Sequence, residues 1–235
     1  MQTIAELIQE HDIKPGRNWR GVARESDPAD MAPTRLHDLD TTHPVMAQAV
    51  AAAHRWAGRV REDADRAPTL ILSGPNGTGK THIARAILWS MTTVALDVDG
   101  RQIPGSKRPR GRFFHAAELL ARLAPDDETG GRLQPVGAVI GSAALVIIDD
   151  AGAESVLAYV RGDYQEQERQ VRYFRVIDWL YANNVPAVIT TNLSPTELAA
   201  HVGRRAWDRL MQMAPAGQMV STEGVPSWRV MAGGR

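Results

Sequence analysis

Residues 69–81 read Thr69-Leu70-Ile71-Leu72-Ser73-Gly74-Pro75-Asn76-Gly77-Thr78-Gly79-Lys80-Thr81. A short apolar run ends in a glycine-rich turn that closes on Gly-Lys-Thr. From Gly74 to Thr81 the pattern is G-x-x-x-x-G-K-[ST], and each part has a physical task. Glycines let the backbone wrap closely, so that its N–H groups point inward at phosphate oxygens. A helix beginning near Gly79 adds the positive end of its dipole. Lys80 is placed for the β- and γ-phosphates and the Thr81 hydroxyl for Mg²⁺. The residues expected to hold a nucleotide are therefore Gly74, Pro75, Asn76, Gly77, Thr78, Gly79, Lys80, Thr81 and His82.

Outward from this stretch, apolar runs alternate with amphipathic helices. A helix starts near Pro44, a residue favoured in the first turn, and Val45, Ala49, Ala53, Trp56 and Val60 share one face. Beyond the turn, Ile83, Ile87 and Met91 mark the next helix. Phe113-Phe114 marks a second strand, and Glu118 to Leu123 a helix. Ala144 to Ile148 is a continuous apolar run, the pattern of a strand buried on both faces. Phe174, Ile177 and Tyr181 mark another helix. Pro186 to Thr190 is a strand opening on Pro, which is tolerated there. Ser194-Pro195-Thr196-Glu197 is a capping box with Pro at the first helical position. The fold class is therefore α/β, a mostly parallel sheet with helices on both faces. Such sheets bind ligands at the carboxyl ends of their strands.

A phosphate loop needs an acidic partner for its metal. Leu145-Val146-Ile147-Ile148-Asp149-Asp150 carries two carboxylates out at the end of an apolar strand. Asp149 is expected to hold Mg²⁺, and Asp150 to polarise an attacking water as general base. A strand ending in a turn is the competing reading, since Asp is common in turns. Glu154, four residues on, either assists or is simply solvated.

The 235 residues carry 27 basic and 27 acidic side chains and no cysteine. That length fits one domain plus a short extension. A cysteine-free chain has no disulfide, thiol nucleophile or zinc-thiolate cluster. Zero net charge argues against a uniformly basic DNA coat but leaves local patches open. Only Lys14, Lys80 and Lys107 are lysines. The start of the chain is no signal peptide, and no stretch reaches the roughly 20 apolar residues of a membrane span, so a cytoplasmic protein is expected. Residues 3–12 read as a short amphipathic helix and residues 14–35 as an extended arm. The division expected is an N-terminal segment, 1–35, with possible partner-binding use, and a core, 36–235. Residues 101–112 hold five basic residues and no acid. This irregular segment, with Arg122 and Arg132 extending it, is either a contact for single-stranded DNA or a solvated loop. Asp126-Asp127-Glu128 reads as a loop.

Four segments together, GPNGTGKTHIARAI, ALVIIDDAGAE, AVITTNLSPTEL and GRRAWDRL, resemble the DnaC/DnaI/IstB branch of AAA+ ATPases. The resemblance covers roughly residues 36–230. It implies ATP hydrolysis with Mg²⁺, and, for the helicase loaders of that branch, loading of a DnaB-type replicative helicase onto single-stranded DNA. Asn192 matches the sensor 1 position, which orients the lytic water; a turn Asn is the local alternative. Arg205 and Arg209 lie where the family places its arginine finger, Arg209 the better positioned. A finger acts on the neighbouring subunit's nucleotide and so implies self-association. A salt-bridged helix surface is the rival account. Arg229 resembles the sensor 2 arginine, with a plain surface Arg as the alternative.

Three departures stand out. Asp150 replaces the commoner Glu. Only residues 211–235 follow Leu210, too few for the usual three-helix lid. The segment before the core is short for a partner-binding domain. Three other readings remain: an IstB-like transposition helper acting on duplex DNA, a P-loop metabolite kinase, and a non-hydrolysing ATP-binding adaptor. The N-terminal 35 residues carry five basic and six acidic side chains, which weakly disfavours the first.

Overall fold

Among the described residues, glycine turns, caps and apolar runs give a single sheet. The computed structural model describes residues 35–62, 68–92, 111–123, 134–153, 164–214 and 217–228. The expected helix 3–12 and arm, most of the basic segment 101–112, Asp126 to Glu128, Arg132, Glu154 and Arg229 lie outside the described residues.

A short 3₁₀ turn, Leu36–Asp38, precedes helix α1, Pro44–Glu62. Strand β1, Thr69–Ser73, runs into the glycine turn, and helix α2, Lys80–Thr92, follows it. Next come β2, Gly111–His115, α3, Ala116–Arg122, and α4, Val136–Ile140. Strand β3, Leu145–Ala151, leads to α5, Tyr164–Ala182. Strand β4, Ala187–Thr191, is followed by α6, Pro195–Val202, α7, Arg204–Met213, and β5, Met219–Ser221.

The strands stand in the order β2-β3-β4-β1-β5, and every neighbouring pair is parallel. The sheet is thus wholly parallel, a stricter arrangement than the mostly parallel one expected. Parallel neighbours demand crossovers, and the helices supply them on both faces. Alternate residues of each strand then point to opposite cores. Val146 and Ile148 join Val176, Ile177 and Leu180 of α5 and Leu210 of α7 on one side. Leu145 and Ile147 join Trp56 of α1 and Ile83 and Ile87 of α2 on the other. The apolar stripe read on α1 is buried at Ala49, Ala53, Trp56 and Val60. Burying the Trp56 indole requires a partner for its N–H, and Nε1 donates to the Pro68 carbonyl at 2.8 Å, just before β1.

Phe174, Ile177 and Tyr181 lie on one helix as expected, but Tyr181 is exposed, and the buried stripe of α5 is Tyr173, Val176, Ile177 and Leu180. Strand β3 carries both acids near its carboxyl end and runs on to Ala151, with a register shift between Ile148 and Ala151. The capping box holds as read: Ser194 Oγ accepts from Glu197 N, and Glu197 Oε2 from Ser194 N at 2.8 Å. The Ser194 hydroxyl first, and then the Ser194 backbone N–H, favour the charged form and hold the Glu197 carboxyl below its usual range. Among the described residues no helix is long and apolar enough to cross a membrane.

Candidate functional site

Strand order assembles the site. In sequence β3 comes before β4, but in space β4 lies between β1 and β3. The carboxyl end of β4 therefore brings Asn192 between the turn after β1 and the acids of β3.

The turn itself needs glycine. Gly74, Gly77 and Gly79 all have positive φ, and side chains of other elements occupy the space a Cβ would take. Lys80 opens α2 and is 6% exposed. Its ammonium donates to the carbonyls of Gly74 and Pro75, each at 2.7 Å, and to Asn192 Oδ1 at 2.8 Å. Asn192 Nδ2 in turn donates to Asp150 Oδ1 at 2.6 Å. A polar chain Lys80–Asn192–Asp150 thus crosses the ends of three adjacent strands.

A second set of bonds holds Asp149, which is 3% exposed. Its Oδ1 accepts from Thr81 Oγ1 at 2.9 Å and from Thr190 Oγ1 at 2.6 Å. His115 Nδ1 lies 3.5 Å from Oδ2. Thr190 Oγ1 also accepts from the backbone N–H of Asp150 at 2.8 Å. That bond sits where the ladder breaks, and Asp150 takes φ 59 there, a left-handed conformation that Asp tolerates better than most residues. The bulge turns the two carboxylates to different partners: Asp149 to Thr81, Asp150 to Asn192.

Thr81 and Asp149 suit Mg²⁺. Both offer hard oxygen donors side by side, and among the described residues no cluster of three His, Cys, Asp or Glu competes for a metal. Mg²⁺ is usually held by one or two protein oxygens plus substrate phosphates, not by a full protein cage. His82, next along α2, is half-buried. Burial first, and then the Arg85 guanidinium, hold its imidazole below the usual range.

Among protein-family models, the one describing an IstB-like ATP binding protein matches residues 59–211, more than half of the chain. The chain belongs to that family. This IstB-like chain also shares the fold of solved AAA+ structures. The DnaC helicase loader superposes with a TM-score of 0.58 at 20% identity, over 80% of this chain and 95% of that one. DnaI gives 0.57 at 20% identity, over 83% and 89%. AMPPCP-bound DnaA from Aquifex aeolicus gives 0.54 at 16% identity, over 80% of this chain and 49% of that one. No curated protein matches by sequence.

Other expected residues lie apart from the phosphate turn. Arg209 of the IstB-like chain sits on α7 against α5. Its Nε donates to Asp178 Oδ1 at 3.3 Å, and its guanidinium lies 4.4 Å from the Tyr181 ring centre. Arg205, one turn earlier and exposed, covers the Phe174 ring at 5.6 Å. Arg122, expected to extend a basic patch, pairs with Glu118 at 2.6 Å.

Sequence reasoning missed Thr190, His115 and Thr222. Thr190 reads as an ordinary β-former, and His115 follows two phenylalanines with no spacing to mark it. Parallel register alone puts His115 opposite Asp149.

Proposed function

We propose that this chain is an ATPase of the AAA+ type that uses ATP to help load a replicative DNA helicase onto single-stranded DNA. One observation carries the catalytic half of that reading: the chain Lys80–Asn192–Asp150 beside the Thr81–Asp149 pair. Lys80 exchanges its carbonyl and Asn192 partners for the β- and γ-phosphates, which the turn's N–H groups receive. Asn192, held by Asp150 at 2.6 Å, is aimed where it orients a water. Asp150 takes that water's proton. Thr81 and Asp149 would hold Mg²⁺, which would supply positive charge against the phosphates. Arg209 leaves Asp178 and Tyr181 to reach the nucleotide of a neighbouring subunit, and Arg229 contacts phosphate in cis. The helicase half draws support from the likeness to the DnaC and DnaI folds.

A second reading is favoured by the family match itself: an IstB-like helper that binds duplex DNA and activates a transposase. The test is a pull-down of the host replicative helicase with and without ATP, beside ATP turnover measured with single-stranded and duplex DNA. ATP-dependent capture and single-strand stimulation support the loader. Stimulation by duplex alone with no helicase captured supports the transposition helper. Absence of ATP turnover under every condition overturns the ATPase reading.

A further inference from the structure

Residues 219–228 return to the phosphate turn after α7, and their contacts there are numerous. β5 pairs with β1, so that Ser221 stands opposite Ser73. The next residue, Thr222, is fully buried. Its N–H donates to the Ser73 carbonyl at 2.7 Å, and its hydroxyl lies 3.1 Å from the same oxygen. Thr222 Oγ1 is also 2.6 Å from Thr78 Oγ1, inside the turn, and Thr78 Oγ1 is 2.9 Å from the Pro75 carbonyl. Thr222 further fills the space beside Gly74 that a Cβ would need. Further along, Trp228 N donates to the Gly77 carbonyl at 3.0 Å, and Ser227 closes on Gly77.

The two hydroxyls make three contacts with only two protons. Either Thr78 donates to Thr222 and Thr222 to Ser73, or Thr222 donates to Thr78 and Thr78 to Pro75. Both arrangements tie the start of the turn to its middle through a side chain from β5's far end. Lys80 also donates to Pro75. When Lys80 turns to a phosphate that carbonyl loses a donor, and the second arrangement supplies one.

We infer that Thr222 is a positioning residue for nucleotide binding: its hydroxyl, paired with Thr78, sets the shape in which the turn receives phosphate. The inference rests on the ATP-binding reading of residues 74–81. A contact of 2.6 Å exists only as a hydrogen bond, because a methyl group at the same place needs well over 3 Å. Thr222→Val therefore pushes Thr78 outward, and Thr222→Ala removes the tie without pushing. A misplaced turn binds ground state and transition state alike less well, which raises KM and leaves kcat nearly unchanged.

The experiment is steady-state ATP hydrolysis and direct ATP binding by the full chain, for wild type and for Thr222→Val, Thr222→Ala and Thr222→Ser, with melting temperature alongside. The expected result is an increase of about tenfold in KM and Kd for Val, a smaller increase for Ala, and near wild-type values for Ser, with kcat held. If Val does not fold, Ala carries the test. Unchanged KM in the hydroxyl-free variants overturns the inference, whether or not the melting temperature falls, since a merely structural threonine moves stability alone. Wild type that binds no ATP overturns the reading of the site itself, a separate result from variants that bind as wild type does.

Discussion

Lys80 and Asn192 are joined directly, Nζ to Oδ1 at 2.8 Å, across 112 positions of sequence. The same Asn192 amide donates to Asp150. One side chain thus sets the spacing between the proposed phosphate-binding cation and the proposed base. Asn192→Ala should leave ATP affinity within a few-fold, because the turn and Lys80 remain. It should lower kcat by about 10²-fold, the usual cost of losing one positioned polar group. Single-turnover kinetics with saturating ATP would check this; an unchanged chemical step excludes the water-orienting role.

Lys80→Ala should abolish measurable ATP binding. The ammonium is buried among carbonyl oxygens and supplies the positive charge nearest the turn. No arginine or lysine of the described turn replaces it. Equilibrium binding of a labelled nucleotide is the measurement. Wild-type affinity in this variant would remove the phosphate site from residues 74–81.

Asp150→Asn is a cleaner probe of the base than Asp150→Ala. Residue 150 has φ 59, and Asn occupies that region as readily as Asp, whereas Ala adds strain there. The amide can still accept from Asn192. The variant should bind ATP normally and hydrolyse it at least about 10²-fold more slowly. Turnover close to wild type would assign the base elsewhere.

Much of this site is local pattern, which is why it was legible. A strand, a glycine turn and Gly-Lys-Thr are contiguous, and so are the apolar run and its two acids. Ser194 and Glu197 cap α6 within four residues. What escaped depends on distance in sequence. Thr222 follows a three-residue edge strand with two partly buried residues and one exposed, so no apolar run announces it. Thr190 matters only because β4 inserts between β1 and β3. The exposure of Tyr181 has a geometric cause. The buried stripe on α5 advances 173, 176, 177, 180, and Phe174 and Tyr181, seven residues and so only about 20° apart, both lie on its flank. Tyr181 faces Arg209.

Thr190→Val should damage both acids at once. Its buried hydroxyl donates to Asp149 and accepts from the Asp150 N–H. Valine leaves that N–H without its partner and loosens the carboxylate facing Thr81. The expected cost in stability is about 1–3 kcal/mol for the unsatisfied buried group. Turnover should demand a higher Mg²⁺ concentration than in wild type. Denaturant unfolding and a Mg²⁺ titration of ATP hydrolysis measure the two effects. An unaltered Mg²⁺ requirement would confine Thr190 to a structural role.

Arg209 has two accounts that a mixing experiment separates. Within its own chain it is held by Asp178, Gln212 and the Tyr181 ring. Removing it should cost little stability, because both members of the Asp178 pair are more than a third exposed and water screens them. As a finger acting in trans, Arg209→Ala should bind ATP normally yet hydrolyse it about 10³-fold more slowly. Asp150→Asn subunits lack the base but keep Arg209. Mixed with Arg209→Ala subunits, they present an intact finger to sites that retain an intact base. Turnover of the mixture should then exceed the sum of the two variants measured separately. A merely additive mixture, with Arg209→Ala hydrolysing like wild type, would leave Arg209 as a clamp between α5 and α7.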